Sequence, residues 1–174
     1  MKTKIVNSEN PLEHWSDIET LNNKVVLDLG CGWIDEGHMS TPEYFISRGA
    51  LKIIGVDVTE AEVEKLKNIY PSHFFIRKMI NSSVDLSELI IEHKPQLIKM
   101  DIEGAEIYLK NIQKDVFDSV EEFAIEYHSV SCKEVVTEKF KELDFEITAI
   151  NSFGYYCTDS NIMGIIHAKR KSVQ

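Results

Sequence analysis

Short apolar runs alternate along the chain with amphipathic stretches of helical period, and this alternation predicts a doubly wound α/β sheet. Val25-Val26-Leu27-Asp28-Leu29 is a near-continuous apolar run, the pattern of a strand buried on both faces. Ile53–Asp57, His73–Ile80, Gln96–Met100 and Phe123–His128 predict four more strands. Helices are expected between them. One starts at Asn10-Pro11 and runs to about Leu21, and another starts at Thr41-Pro42-Glu43 with Gly49 as its C-cap. Thr59 is expected to cap a helix through about Ile69, and Ser82 or Ser83 one from Val84 to about His93. Two further helices are expected, from Ala105 to about Ile112 and from Cys132 to Leu143. The pattern then changes. Phe145–Ile150 and Ile162–Lys169 read as two strands joined by the turn-rich Asn151–Asn161, with no helix between them. Residues 1–174 are expected to form one domain, with 1–22 an N-terminal helical segment and 23–170 the core.

Composition narrows the setting. With 174 residues, 43% hydrophobic and 28% charged, the chain has the make-up of a folded soluble domain. The net charge of -10 argues against a nucleic-acid partner, and Lys169-Arg170-Lys171 reads as a solvated tail. Cys31, Cys132 and Cys157 match no zinc or redox spacing, which fits a reducing cytoplasm. The amino terminus turns polar too early for a signal peptide, and no apolar run reaches the ~20 residues of a membrane span. A cytoplasmic protein with no membrane partner is expected; the oligomeric state stays open.

The candidate chemistry gathers at strand ends. Asp28-Leu29-Gly30-Cys31-Gly32 follows the first strand, where glycines allow a sharp turn and close backbone approach to a ligand. The dinucleotide fingerprint requires a third glycine where Asp35 stands, which argues against a nicotinamide cofactor. Asp57 ends the second strand and can accept both hydroxyls of a ribose. The fourth strand runs into Lys99-Met100-Asp101-Ile102-Glu103-Gly104-Ala105-Glu106. Ligands of open α/β sheets bind beyond the carboxyl ends of strands, so Asp101 and Glu103 project toward the site. Glu126 and His128 share one face of the fifth strand, and His128 is a candidate general base.

Five strand–helix units followed by a hairpin resemble the class I S-adenosylmethionine methyltransferase fold. Lys99–Glu106 resembles the K-x-D-[VI]-E-G-A-E signature of the FkbM-like methyltransferases, and the likeness extends over Val25 to His128. The resemblance implies a Rossmann-like, seven-stranded, mostly parallel sheet with helices on both faces and an antiparallel C-terminal β-hairpin. It implies S-adenosylmethionine as cofactor and transfer of methyl to a hydroxyl of a small-molecule or saccharide acceptor. The cofactor site then comprises Asp28, Gly30, Cys31, Gly32, Asp57, Val58, Ile80, Asn81 and Asp101, with Ile80 and Asn81 flanking the adenine. Asp101, Glu103 and His128 are the candidate catalytic residues. The chain departs from its relatives in a longer Trp33–Ser40 loop, expected to cover the methionine end of the cofactor. Asp101, Glu103, Glu126 and His128 are the types that ligate a divalent cation, but acidic clusters at sheet ends commonly hold none, so no metal is expected. A protein or RNA acceptor, or a non-catalytic cofactor-binding module, is the alternative reading.

Overall fold

A computed structural model describes residues 1–6, 15–18, 21–32, 39–153 and 163–171, the first strand by its backbone alone. In chain order the strands are β1 (Lys2–Val6), β2 (Val25–Leu29), β3 (Lys52–Asp57), β4 (Phe74–Arg77), β5 (Leu97–Met100), β6 (Glu122–Tyr127), β7 (Phe145–Phe153) and β8 (Gly164–Arg170). The helices are α1 (Thr41–Ser47), α2 (Glu60–Ile69), α3 (Ser83–His93) and α4 (Val130–Glu142), with 3₁₀ turns at Ala105–Asn111 and Lys114–Phe117.

The strands form one sheet in the order β1-β7-β8-β6-β5-β2-β3-β4. The run from β4 to β6 is parallel. β8 lies antiparallel between β6 and β7, which is the expected terminal hairpin. The architecture is a Rossmann-like, mostly parallel sheet, and the seven expected strands are all present. An eighth was not foreseen: Lys2–Val6 pairs parallel with β7, Lys2 opposite Ala149. The amino-terminal segment was expected to be helical; its opening residues instead extend the sheet. Most of the helix expected over 10–21 lies outside the described residues, as do 33–38 of the long loop and 154–162 of the hairpin connection.

Alternation within each strand divides its side chains between two cores. Val26 packs on one face with Trp15, Ile18, Phe45, Ile53, Val63 and Leu66. Leu27 and Leu29 pack on the other with Leu86, Leu89, Phe123 and Phe140. Thus α1 and α2 cover one face, while α3, α4 and the 3₁₀ turns cover the other. Phe123 anchors the second core, with ring centroids of Phe140, Phe145 and Phe117 at 5.0, 5.1 and 5.8 Å.

The caps follow the chemistry of their residues, with one exception. Ser40 Oγ accepts from Glu43 N at the start of α1, and Ser82 Oγ from Asp85 N at the start of α3. Thr59, the expected cap of α2, makes no such bond. Asp57 Oδ1 instead accepts from Thr59 N at 2.8 Å, so the strand-end carboxylate takes over the entry to that helix. The expected third strand is also short. Only Phe74–Arg77 pairs with β3, and Lys78–Ile80 run on beyond it at the sheet's carboxyl edge.

Candidate active site

The parallel register aligns the ends of the central strands, with Leu29 opposite both Val56 and Met100, and Met100 opposite Ile125. Every chain segment leaving these ends turns over the same edge. A cavity of about 480 Å³ opens there, within the range of small-ligand and cofactor sites. Gly30, Asp57 and Asp101 bound it from three different strand ends. Val58, Met79, Ile80, Ile102 and Tyr108 supply an apolar wall.

Gly30 is required by its surroundings. Its φ is +76°, a left-handed value. A Cβ built on it would lie 1.8 Å from the backbone oxygen of Asp101. The turn is held by Gly30 N donating to Val56 O at 2.8 Å and Asp101 N donating to Leu29 O at 3.0 Å. Gly32 N donates to Asp57 Oδ2 at 2.8 Å, so the carboxylate at the end of β3 is fixed against the turn.

Beneath the turn lies a buried lysine. Lys99 is fully buried, and its Nζ donates to Gly30 O at 2.6 Å and Leu29 O at 3.3 Å. Asp28 Oδ1 is 3.1 Å from the same nitrogen, and Asp28 Oδ2 accepts from Thr41 Oγ1 at 2.7 Å. Burial opposes the charge on Lys99, but Asp28 and Asp101 outweigh it and hold the ammonium above its ordinary pKa. An ammonium donating to two consecutive carbonyls holds the start of the turn in place.

Beyond Asp101 the carboxylates converge on one imidazole. His128 Nδ1 donates to Glu106 Oε1 at 3.2 Å, and Glu106 is fully buried. Glu106 Oε1 also accepts from Ile102 N at 3.2 Å. His128 Nε2 lies 3.5 Å from Asp101 Oδ1, 3.6 Å from Glu126 Oε1 and 3.7 Å from Glu103 Oε2. Burial disfavours the imidazolium, yet Glu106, Asp101 and Glu126 prevail and push its pKa up to about 9. Burial, then the charge of Asp101, pushes Glu126 up to about 8.

The structure therefore brings together most of the residues expected from sequence and reassigns several. Gly30, Asp57, Val58, Ile80 and Asp101 line the cavity. Asp28 does not reach it: being wholly buried, it serves the lysine under the turn. Cys31 is also buried, and burial pushes its thiol pKa far above the ordinary value. Asn81 is exposed and absent from the cavity wall; its backbone N–H donates to Asp85 Oδ2. Asp101, Glu103 and His128 do meet, and the carboxylates around His128 favour the charged form of its imidazole. Lys99 and Glu106 had been given no role. The signal for Lys99 was a lone charge in the apolar run Leu97-Ile98-Lys99-Met100. Glu106, like Lys99, was marked as a fixed position of the K-x-D-[VI]-E-G-A-E signature, although a glutamate in the first turn of a helix is by itself commonplace.

No protein-family model matches the chain, and no curated protein matches it. Solved structures do resemble it. A hemolysin-named chain of Lactococcus lactis shares 14% identity, over 92% of this chain and 83% of that one, with a TM-score of 0.60. A precorrin-6y C5,15-methyltransferase from Geobacter metallireducens shares 13%, over 91% and 86%, at 0.57. Magnesium protoporphyrin IX methyltransferase from Synechocystis, with bound S-adenosylmethionine, shares 15%, over 91% and 74%, at 0.51. At these identities the likeness is one of fold.

Proposed function

We propose that this chain is an S-adenosylmethionine-dependent methyltransferase that methylates a hydroxyl of a small or saccharide acceptor, as the FkbM-like enzymes do. The observation that carries the reading is the union of three strand ends on one cavity: a glycine turn at Gly30, a carboxylate at Asp57, and a second carboxylate at Asp101. Two solved structures of the same fold are methyltransferases, one of them with this cofactor bound.

The residues suit the cofactor. Gly30 leaves the turn free of any side chain on the cavity side, and Asp57 keeps lone pairs beyond the two backbone N–H groups it accepts. Those lone pairs suit ribose hydroxyls. The apolar wall of Val58, Met79, Ile80 and Tyr108 suits an adenine ring. S-adenosylmethionine supplies a methyl group on a sulfonium, an activated donor, so the protein's work is to align the acceptor and exclude water. Asp101 sits between the turn and the carboxylate cluster, placed for the amino group of the cofactor or the hydroxyl of the acceptor. With His128 charged, the group that takes the hydroxyl proton is a carboxylate, Asp101 or Glu103. The imidazolium orients these two and offsets their charge.

Calorimetry and thermal unfolding with S-adenosylhomocysteine test the reading. Micromolar binding is expected. At a hundredfold excess over Kd it adds about 2.7 kcal/mol, and at roughly 2–4 °C per kcal/mol raises Tm by about 5–10 °C. Failure of both S-adenosylmethionine and S-adenosylhomocysteine to bind removes the proposal.

A further inference from the structure

We propose that Lys99 is a positioning residue for the amino-acid end of the cofactor, acting from beneath the cavity through the Gly30 turn and the Asp101 carboxylate. The inference rests on the methyl-transfer reading and adds to it a residue that touches no cofactor atom.

Lys99 is fully buried on β5, between β2 and β6. Asp28 stands beside it in register on β2, with Oδ1 3.1 Å from Nζ. The buried Trp15 ring lies over the ammonium, its centroid 5.3 Å away. Nζ donates to Gly30 O at 2.6 Å and to Leu29 O at 3.3 Å. Leu29 O also accepts from Asp101 N at 3.0 Å, so one carbonyl ties the lysine head to the backbone at Asp101. The Asp101 carboxylate is bracketed as well. Lys99 Nζ is 3.9 Å from Oδ2, and His128 Nε2 is 3.5 Å from Oδ1. Gly30 and Asp101 both line the cavity, and both are held by the same nitrogen.

Stability alone does not account for this lysine. A buried ion pair contributes little to it, because desolvating both charges offsets most of their attraction. Apolar residues of similar volume would fill the space without that cost. What they lack is a donor for the Leu29 and Gly30 carbonyls and a positive charge beneath Asp101. The action is also local. Gly30 and Asp101 leave the ends of β2 and β5, and Asp101 is placed for the amino group of the cofactor. Val58, Met79 and Ile80, the wall suited to adenine, follow β3 and β4 on the far side of β2. Loss of the ammonium should therefore be felt at one end of the cofactor and not at the other.

The test compares two ligands on the full-length protein: S-adenosylhomocysteine, which carries the amino-acid end, and adenosine, which lacks it. Calorimetry measures the first and ligand-detected nuclear magnetic resonance the second, on the wild type and on Asp28→Asn/Lys99→Met, in which a neutral pair replaces the charged one. Affinity for S-adenosylhomocysteine is expected to fall at least about tenfold in the double variant, and that for adenosine to stay within about threefold. Urea denaturation should show that the variant keeps most of its stability. A merely structural lysine gives another result. Affinity for S-adenosylhomocysteine then recovers along with stability, or both ligands weaken by the same factor, and either outcome overturns the proposal. Should the variant not fold, the wild type with isotope-labelled lysine decides. The Lys99 Nζ resonance is expected to move when S-adenosylhomocysteine binds and to stay in place with adenosine; a resonance that S-adenosylhomocysteine leaves unmoved overturns the proposal. Failure of the wild type to bind S-adenosylhomocysteine removes the methyl-transfer reading and this inference together, whereas tight binding that the double variant shares removes this inference alone.

Discussion

Replacing Gly30 by alanine inserts one methyl group where two strand ends meet. That methyl would stand 1.8 Å from the backbone oxygen of Asp101, a distance real Cβ atoms essentially never adopt below 3.0 Å. The ends of β2 and β5 must therefore part by more than about 1 Å, because the obstacle is backbone and cannot rotate away. Parting them breaks the bond from Asp101 N to Leu29 O and weakens the grip of Lys99 on Gly30 O. Each lost bond costs about 0.5–1.5 kcal/mol, more where the donor is charged. The left-handed φ adds roughly 1–2 kcal/mol for any residue with a Cβ. The total is about 3–5 kcal/mol, which lowers Tm on the order of 10 °C for a chain of this size. Gly104→Ala is the matched control. Gly104 also has a left-handed φ, +100°, but a Cβ there meets nothing within 4 Å, so only the conformational cost of roughly 1–2 kcal/mol applies. Urea denaturation of both variants decides the matter. If Gly30→Ala is no less stable than Gly104→Ala, the close approach of the two strand ends is not a real constraint.

Other variants probe the remaining parts. Lys99→Met strands Asp28 as a buried charge and should cost about 3–5 kcal/mol, whereas pairing it with Asp28→Asn should recover a large share; a double-mutant cycle by denaturation measures this, and purely additive losses count against the buried pair. Thr41→Val removes the hydroxyl that donates to Asp28 Oδ2 and should cost about 1–3 kcal/mol in the same assay. Asp57→Asn cannot accept at both oxygens, so it loosens either Gly32 N or Thr59 N; S-adenosylhomocysteine affinity should fall at least about tenfold, or roughly 1.4 kcal/mol. Cys31 and Cys132 are buried, and burial pushes both thiols above their ordinary pKa; iodoacetamide should label them in urea but hardly at all in the native protein, as peptide mass mapping would show.

Much of this architecture was legible in the order of residues, for definite reasons. Strands buried on both faces are written as unbroken apolar runs, so Val25–Leu29 and Phe123–Tyr127 announced themselves. The switch from strand–helix units to two successive strands foretold the terminal hairpin. Glycine and acidic residues at strand ends marked the cavity, because only strand ends can deliver side chains to that edge. β1 was not legible: it draws its place from backbone bonds to β7, and a polar edge strand has no hydrophobic signature. Asp28 shows the other limit. Its position beside the glycine turn suggested a ligand contact, but the pleat turns its side chain inward to Lys99, from a strand distant in sequence. His128 is alike: sequence named an imidazole near neutral pKa, and Glu106 and Asp101 from one segment with Glu126 from β6 push it upward. Local pattern determined which segments became strands and which strand ends carried chemistry. Only tertiary structure decided which charges met, because the energy of a charge is set by its neighbours in space.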